Sequence, residues 1–356
     1  TVFTAAKTPI QIATEWDDGA TISIMYTSGT TGFPKGVRQT VQNHSSSAIS
    51  SALNLGLKED DVWLCAVPIF HISGFSILIR SLLYGMTVRL YEKFDEAMCA
   101  QEIVQGTVTK ISVVAVMLER ILTYMEEHRL IANANFTTML LGGGPVPVEY
   151  LARAAKLHLR VAQTYGMTET SSQTATLSNE DAMRKIGSAG KPLFFNQIKI
   201  DGATKREEEG EICIRGPHVT PGYIGKFAER VATEDGWLKT GDIGYLDEEG
   251  YLYVIDRRAD LIISGGENIY PAEIENVLMA HPAIKEAGVC GVEDKIWGQV
   301  PIAFVVLKQQ MTEDELNDFC KERLAAYKLP KQIHFVNELP RSGSNKLLRR
   351  KLKGMI

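Results

Sequence analysis

Tyr26-Thr-Ser-Gly-Thr-Thr-Gly-Phe-Pro-Lys-Gly-Val37 is the stretch that decides the reading of this chain. It follows Ile22 to Tyr26, an apolar, β-branched run that predicts a strand. Small hydroxylated residues and glycines, Thr27, Ser28, Gly29, Thr30, Thr31 and Gly32, let backbone N–H and side-chain O–H groups close around phosphate oxygens, and Lys35 adds a positive charge. The stretch therefore predicts a phosphate loop. It is not a Walker loop, because that pattern closes on Gly-Lys-Ser/Thr whereas Lys35 sits between Pro34 and Gly36. The competing reading is a flexible Ser/Thr/Gly surface loop, and the length of the stretch argues against it.

Outward from this loop, apolar runs at Val113 to Met117 and Met139 to Leu141 alternate with longer segments of helical pattern, which is α/β grammar. From about Lys191 the texture changes to short strands with turn signals, as in Glu211 to Gly216 and Asp247 to Arg257, and predicts a small β-rich subdomain. After Arg257 the pattern alternates again. Pro271 suits the first turn of a helix, Ala283 to Val292 and Pro301 to Lys308 read as strands, and Thr312 with Glu315 has capping-box spacing at the start of a helix over Glu315 to Lys328. The expected fold is α/β: a large N-terminal domain over 1–257 with mixed sheets and the β-rich subdomain at about 191–257, then a small α+β domain over 258–356.

The composition excludes several classes. With 356 residues, 45% hydrophobic and 23% charged, the chain can bury a sizeable core. Its 38 Lys+Arg against 43 Asp+Glu leave a net charge of −5, which gives no general reason to bind nucleic acid. Cys65, Cys99, Cys213, Cys290 and Cys320 are too scattered for a zinc site or redox pair and read as reduced thiols. No stretch approaches the roughly 20 apolar residues of a membrane span, and TVFTAAKTP lacks the regions of a signal peptide, so a cytoplasmic protein without membrane insertion is expected.

The phosphate loop resembles the signature loop of the adenylate-forming superfamily of acyl-CoA synthetases, luciferases and peptide-synthetase adenylation domains, and later segments agree in order and spacing. Leu141-Gly-Gly-Gly-Pro145 and Gln163-Thr-Tyr-Gly-Met-Thr-Glu169 are similar to the family's adenine-binding pieces, which implies nucleotide contacts at Gly143, Gly144, Pro145, Tyr165 (the stacking ring) and Gly166. By the same resemblance Thr168 contacts phosphate and Glu169 holds Mg²⁺, an ion that prefers oxygen ligands. Trp237-Leu-Lys-Thr-Gly-Asp-Ile243 implies that Asp242 accepts hydrogen bonds from the ribose hydroxyls, and Arg257 matches the arginine that also reaches the ribose. Pro340-Arg-Ser-Gly-Ser-Asn-Lys-Leu-Leu-Arg349 places Lys346 on the catalytic lysine, with Asn345 and Arg341 departing from the usual Gly and Lys. Ser264, Gly265 and Gly266 match the loop that approaches CoA, and Ala259 falls on the hinge of a mobile C-terminal domain.

The implied activity is an acid–thiol ligase: a carboxylate attacks ATP to give an acyl-adenylate, and the CoA thiol then displaces AMP. His71 stands where amino-acid-activating relatives carry an Asp, which disfavours an amino-acid substrate and suggests a place beside the carboxylate and aromatic end of the acid. Long agreement with the succinylbenzoate–CoA ligases of menaquinone synthesis, in LLGGGPVP, QTYGMTETSSQ and DRRADLIISGGENIYPAEIE, points to that subfamily, with Ser172 as a candidate contact to a second carboxylate or keto group. Another aryl- or fatty-acyl-CoA ligase is the alternative, and a non-catalytic binding module is disfavoured by the intact Lys346, Glu169 and Asp242. The expected partners are a small carboxylic acid, ATP and CoA, with homo-oligomerisation left open. Relatives carry a further subdomain before the phosphate loop, whereas only about 25 residues precede it here, so the family's first subdomain is expected to be missing from this stretch.

Overall fold

The computed structural model describes residues 14–27, 35–143, 146, 148–178, 180–229, 232–257 (Arg257 by its backbone), 260–265, 267–343 and 346–356. Its largest sheet has seven strands in the order Thr87–Leu90, Val62–Cys65, Lys110–Val113, Thr138–Leu141, Val161–Tyr165, Ala175–Leu177 and Lys191–Pro192. The first five are parallel, and Ala175–Leu177 pairs antiparallel with both Val161–Tyr165 and Lys191–Pro192. Lys110–Val113 and Thr138–Leu141 are buried along their whole length, as strands in the middle of a sheet flanked by helices must be. Helices Ala115–Glu127 and Val148–Lys156 connect successive parallel strands and bury Leu118, Ile121, Leu122 and Leu151 in the main core.

Here one sequence expectation is corrected. The apolar run Val113 to Met117 is not a strand: the strand ends at Val113, Val114 is extended at the helix N-cap, and the helix begins at Ala115. A short apolar run that crosses from strand to helix carries neither period long enough to show it.

A second, antiparallel sheet joins Thr21–Thr27, Lys35–Thr40 and Gly222–Ile224. The β-rich sheet runs Gln197–Asp201, Gly210–Arg215, Leu238–Leu246, Leu252–Arg257. Lys191–Pro192 pairs with Ala175–Leu177 at the edge of the large sheet, so the β-rich sheet proper starts at Gln197. The last sheet runs Glu267–Ile269, Ile262–Ser264, Gly298–Leu307, Ile284–Asp294, with Gln332–Phe335 parallel to Gly298–Leu307. Its face packs Ile262, Val289 and Val305 against Ile274 and Leu278 of helix Pro271–Met279 and Leu316 of helix Glu313–Lys321. Thr312 and Glu315 form the expected capping box, but the helix stops at Lys321 and only a short 3₁₀ turn, Ala326–Lys328, follows. Pro330 disfavours a helical residue before it, and Leu329 is indeed extended.

One polar pair lies deep in the main core. Lys110 Nζ is 2.5 Å from Asp61 Oδ2, and both side chains are almost fully buried. Asp61 also accepts from Thr109 Oγ1 (2.8 Å) and Lys58 N (2.9 Å), tying the loop before Val62–Cys65 to the neighbouring strand. Burial alone would raise the Asp61 pKa, but these donors outweigh it and hold the carboxyl below its ordinary value. Its stabilising contribution is therefore complete above the unfolded carboxyl pKa of about 3.9 and is lost as pH falls through the lowered folded value. Lys110→Met leaves a buried carboxylate without its cation and should cost about 3–5 kcal/mol in denaturant unfolding, whereas the double change with Asp61→Leu should cost less than Lys110→Met alone.

Candidate active site

The parallel strands of the large sheet point their carboxyl ends toward one crevice, the place where open α/β sheets bind ligands. Leu141 leads there into Gly142 and Gly143, Tyr165 into Gly166, Val113 into Val114, and Cys65 into the Pro68–His71 segment. Gly144, Pro145, Ser28, Gly29, Thr30, Thr31 and Gly32 lie outside the described residues, as do Gly266 and Ala259. Thr27 and Lys35 are register partners where the two strands around the loop meet it, so the hairpin brings both ends of the predicted phosphate loop together. Lys35 Nζ lies 5.7 Å from the centre of the Tyr223 ring, and Tyr223 Oη is 3.4 Å from Glu169 Oε1. The loop's lysine and the proposed metal ligand thus approach opposite parts of one tyrosine.

Thr168 and Glu169 sit on a 3₁₀ turn, Thr168–Thr170, followed by Ser171 and Ser172 at φ 50° and 107°. Gly166 is required by this fold-back, since a Cβ there would lie 1.6 Å from the Ser172 carbonyl oxygen. Glu169 is buried. Among the described residues no group of three or more His, Cys, Asp or Glu forms a self-contained metal cage. One buried carboxylate linked through Tyr223 to Lys35 instead suits Mg²⁺, which is usually held by one or two carboxylates together with substrate phosphates.

Tyr165 Oη donates to Asp242 Oδ2 at 2.8 Å, so the predicted stacking ring and the predicted ribose acceptor are orienting partners. Asp242 is opposite Arg257 in the ladder between Leu238–Leu246 and Leu252–Arg257, which places the two ribose candidates side by side along the backbone.

Lys346 comes from the far end of the chain yet reaches this crevice. A Cβ at Gly143 would be 3.3 Å from Lys346 Cε and 4.0 Å from its Nζ. His71 is close enough for the lysine's charge to add to burial in lowering the imidazole pKa. Its Nε2 is buried and has no hydrogen-bond partner among the described residues, and Phe70 packs against the ring. The lysine segment is itself anchored. Ser342 N donates to Lys346 O (2.8 Å), Ser342 Oγ accepts from Lys346 N (3.1 Å), and Arg341 pairs with Glu286 at 2.6 Å. Three residues on, Arg349 pairs with Glu275, Asp256 and Asp260. Burial would lower the pKa of this guanidinium, but the three carboxylates raise it. Ala272 N also donates to Asp256 Oδ2 at 2.8 Å, so Asp256 receives both the C-terminal arginine and the start of helix Pro271–Met279.

Ser264 and Gly265 stand elsewhere. Ser264 pairs with Glu267 and Gly298 within the C-terminal sheet, Gly265 N donates to Trp297 O (2.8 Å), and a Cβ on Gly265 would meet the Trp297 ring at 2.9 Å.

Ser172 does face a polar partner, one that sequence reasoning missed. Arg80 is fully buried in helix Ile72–Tyr84, and its Nη2 donates to Ser172 Oγ (3.3 Å) and Gln173 Oε1 (3.4 Å). The guanidinium lies 5.1 Å from the centre of the Trp63 ring, and its Nε and Nη1 have no hydrogen-bond partner among the described residues. Burial lowers its pKa. The single charged residue in the largely apolar run Ile77-Leu-Ile-Arg-Ser-Leu-Leu83 was the available signal.

Comparison with known proteins agrees with this geometry. The description "AMP-binding enzyme" matches residues 4–224 and "AMP-binding enzyme C-terminal domain" matches residues 273–346. The 2-succinylbenzoate–CoA ligase of Bacillus licheniformis is 55% identical over 340 residues, covering 94% of this chain and 70% of that protein. The ligase of the same name from Bacillus subtilis is 53% identical over 352 residues, covering 98% and 72%. The structure of the Bacillus subtilis o-succinylbenzoate CoA synthetase in complex with ATP and magnesium ion superposes with a TM-score of 0.90 at 51% identity, covering 98% of this chain and 73% of that one. Its complex with the acyl-adenylate intermediate gives 0.88 at 53% identity, covering 95% and 70%. The chain belongs to the AMP-binding enzymes, the adenylate-forming superfamily, as an acid–CoA ligase similar to the 2-succinylbenzoate–CoA ligases.

Proposed function

We propose that this chain ligates CoA to 2-succinylbenzoate in menaquinone synthesis, at the expense of ATP and through an acyl-adenylate. The observation that carries the chemistry is the reach of Lys346 into the crevice beside Gly143 and His71. The acid's carboxylate attacks the α-phosphorus of ATP, forming a C–O–P bond as pyrophosphate leaves. The CoA thiolate then attacks the acyl carbon and AMP departs with the C–O bond electrons. The first step moves negative charge among the triphosphate oxygens, and fixed positive groups lower such a barrier most, whereas the second step acts at the acyl carbon. In this reading Lys346, Lys35, Thr168 and the loop from Thr27 to Gly32 surround those oxygens. Mg²⁺ at Glu169 would offset triphosphate charge when bound. Gly143, Gly144, Pro145, Tyr165 and Gly166 form the adenine site, and Asp242 with Arg257 takes the ribose.

Substrate choice follows from Arg80. Succinylbenzoate carries two carboxylates, only one of which reacts, and the other needs a cation in a largely apolar pocket. The buried guanidinium against Ser172, with two nitrogens lacking partners among the described residues, supplies it. His71 would border the reacting end. Ser264, Gly265 and Gly266 would meet CoA after the small domain, 258–356, has turned about Ala259. The cytoplasm is the proposed compartment: the five cysteines are free and buried, and no helix among the described residues is long and apolar enough to cross a membrane.

Two results test this. In the full-length enzyme Lys346→Ala should slow adenylate formation, read as pyrophosphate release, by about 10²–10³-fold while largely sparing thioester formation from supplied acyl-adenylate; equal losses in both half-reactions would contradict its role. Arg80→Met should raise KM for succinylbenzoate by about 10²-fold, the size expected when a buried charge loses its partner, without raising KM for a monocarboxylic benzoate. Acyl-CoA masses from a panel of acids check this directly. Turnover of benzoate or a fatty acid without succinylbenzoate in the unmodified enzyme would replace the specific substrate with the broader aryl- or fatty-acyl reading.

A further inference from the structure

The turn bearing Thr168 and Glu169 is held from outside at three carbonyl groups. Gln39 Nε2 donates to Thr168 O (2.7 Å), Thr220 N to Glu169 O (2.8 Å), and Ser47 Oγ to Ser171 O (2.7 Å). The turn needs such restraint, because Ser171 and Ser172 both have left-handed backbones without being glycine. Conformations of that kind persist only where their surroundings over-determine them.

Gln39 is distinctive among the three. It is fully buried and lies on the strand Lys35–Thr40, which leaves the phosphate loop directly. Its orientation is dictated by hydrogen-bond chemistry. A carbonyl can only accept, so the amide nitrogen must face Thr168 and the amide oxygen must face Ser23. Ser23 Oγ therefore donates its only proton to Gln39 Oε1 (2.7 Å). The contact of Ser23 Oγ with His44 Nε2 (2.8 Å) must then be a donation from the imidazole. Burial pushes the His44 pKa down to about 4, consistent with a neutral ring carrying one N–H on that nitrogen. The chain of donors runs one way, from His44 through Ser23 to Gln39, and ends on the carbonyl of Thr168.

We infer that Gln39 is a positioning residue: it locks the strand that leaves the phosphate loop to the Thr168–Glu169 turn, so that the groups contacting the triphosphate and the carboxylate that takes the metal keep one register. The inference rests on the reading of Glu169 as the Mg²⁺ ligand. In this role Gln39 acts through the backbone of the turn, by its hydrogen bond to the Thr168 carbonyl.

The test uses the full-length enzyme with Gln39→Met, which keeps length and loses both polar ends, and Gln39→Glu, which places an acceptor against the Thr168 carbonyl. Three quantities are read: single-turnover pyrophosphate release against Mg²⁺ concentration, ATP affinity by calorimetry with and without Mg²⁺, and thioester formation from supplied acyl-adenylate. By analogy with residues that orient metal ligands, Gln39→Met should raise the Mg²⁺ requirement about 10-fold and slow pyrophosphate release about 10–100-fold, with thioester formation within about 3-fold of wild type. The gain in ATP affinity on adding Mg²⁺ should shrink, and Gln39→Glu should be worse on each count. Loss in both half-reactions alike, with an unchanged Mg²⁺ requirement, would mean a structural role only and would overturn the inference. If both variants fail to fold, Ser23→Ala decides: it should shift the Mg²⁺ requirement in the same direction, and no shift would overturn the inference. Glu169→Gln is the control for the underlying reading. If it leaves Mg²⁺ dependence unchanged, Glu169 is not the ligand; if it removes that dependence while Gln39→Met does not alter it, only the positioning role fails.

Discussion

The approach of Lys346 to the crevice at Gly143 is the constraint on which the rest of the arrangement depends. An ATP molecule brings several negative charges to a site of low dielectric, and a single ammonium held close to them there is worth far more than one in water. That ammonium lies at the opposite end of the chain from the phosphate loop. Its delivery requires the C-terminal sheet to be docked, the segment Arg341–Leu347 to be pinned by Glu286 and its own bridge, and Arg349 to be seated among Asp256, Asp260 and Glu275. Asp256 belongs to the last strand of the β-rich sheet, so this cluster ties the lysine-bearing tail to the body of the protein.

The crevice is built at visible conformational and electrostatic cost. Ser171 and Ser172 occupy backbone regions that side chains avoid, and Nε and Nη1 of the buried Arg80 and Nε2 of His71 have no hydrogen-bond partner among the described residues. Such features are not confined to the crevice: Arg129 and His158, just after the helices that flank the large sheet, also have positive φ, and Nε2 of the buried Gln163 on strand Val161–Tyr165 has no hydrogen-bond partner among the described residues. Those at Ser171, Ser172, Arg80 and His71 stand where a ligand carrying phosphate and carboxylate groups would meet them, while the dense apolar packing below, with Leu118, Ile121, Leu122 and Met125 fully buried, carries the stability.

Much of this was legible in the sequence. The apolar run Ile22 to Tyr26 marked the strand Thr21–Thr27 that enters the loop, but the partner strand Lys35–Thr40 that completes the hairpin was not read from the sequence. The capping box at Thr312 and the proline at Pro271 each marked a helix start that the structure contains. What failed was local: a five-residue apolar run across Val114 could not reveal its strand-to-helix boundary, and the helix that starts at Glu313 ends at Lys321, seven residues short of the expected Lys328, with no stop signal in the sequence there. The motifs of the candidate site were legible in the sequence, and the contacts that hold them were not. Glu169, Asp242 and Lys346 stand in recognisable motifs, but Arg80 and Gln39 acquire meaning only when Ser172 and Thr168, 92 and 129 residues away, come within hydrogen-bond reach. Contacts at that separation leave no local pattern to read.

Lys346 lies at the crevice while Ser264 and Gly265, on the same small unit, pack toward Trp297 within their own sheet. The proposed function needs a second placement of this unit to bring the other loop to CoA, with Ala259 as the proposed hinge. Proline there fixes φ near −65° and removes a backbone donor. The most direct measurement is stopped-flow pyrophosphate release and thioester formation on full-length Ala259→Pro enzyme. The account predicts that one half-reaction survives near its normal rate while the other is lost; both rates near wild type would contradict it.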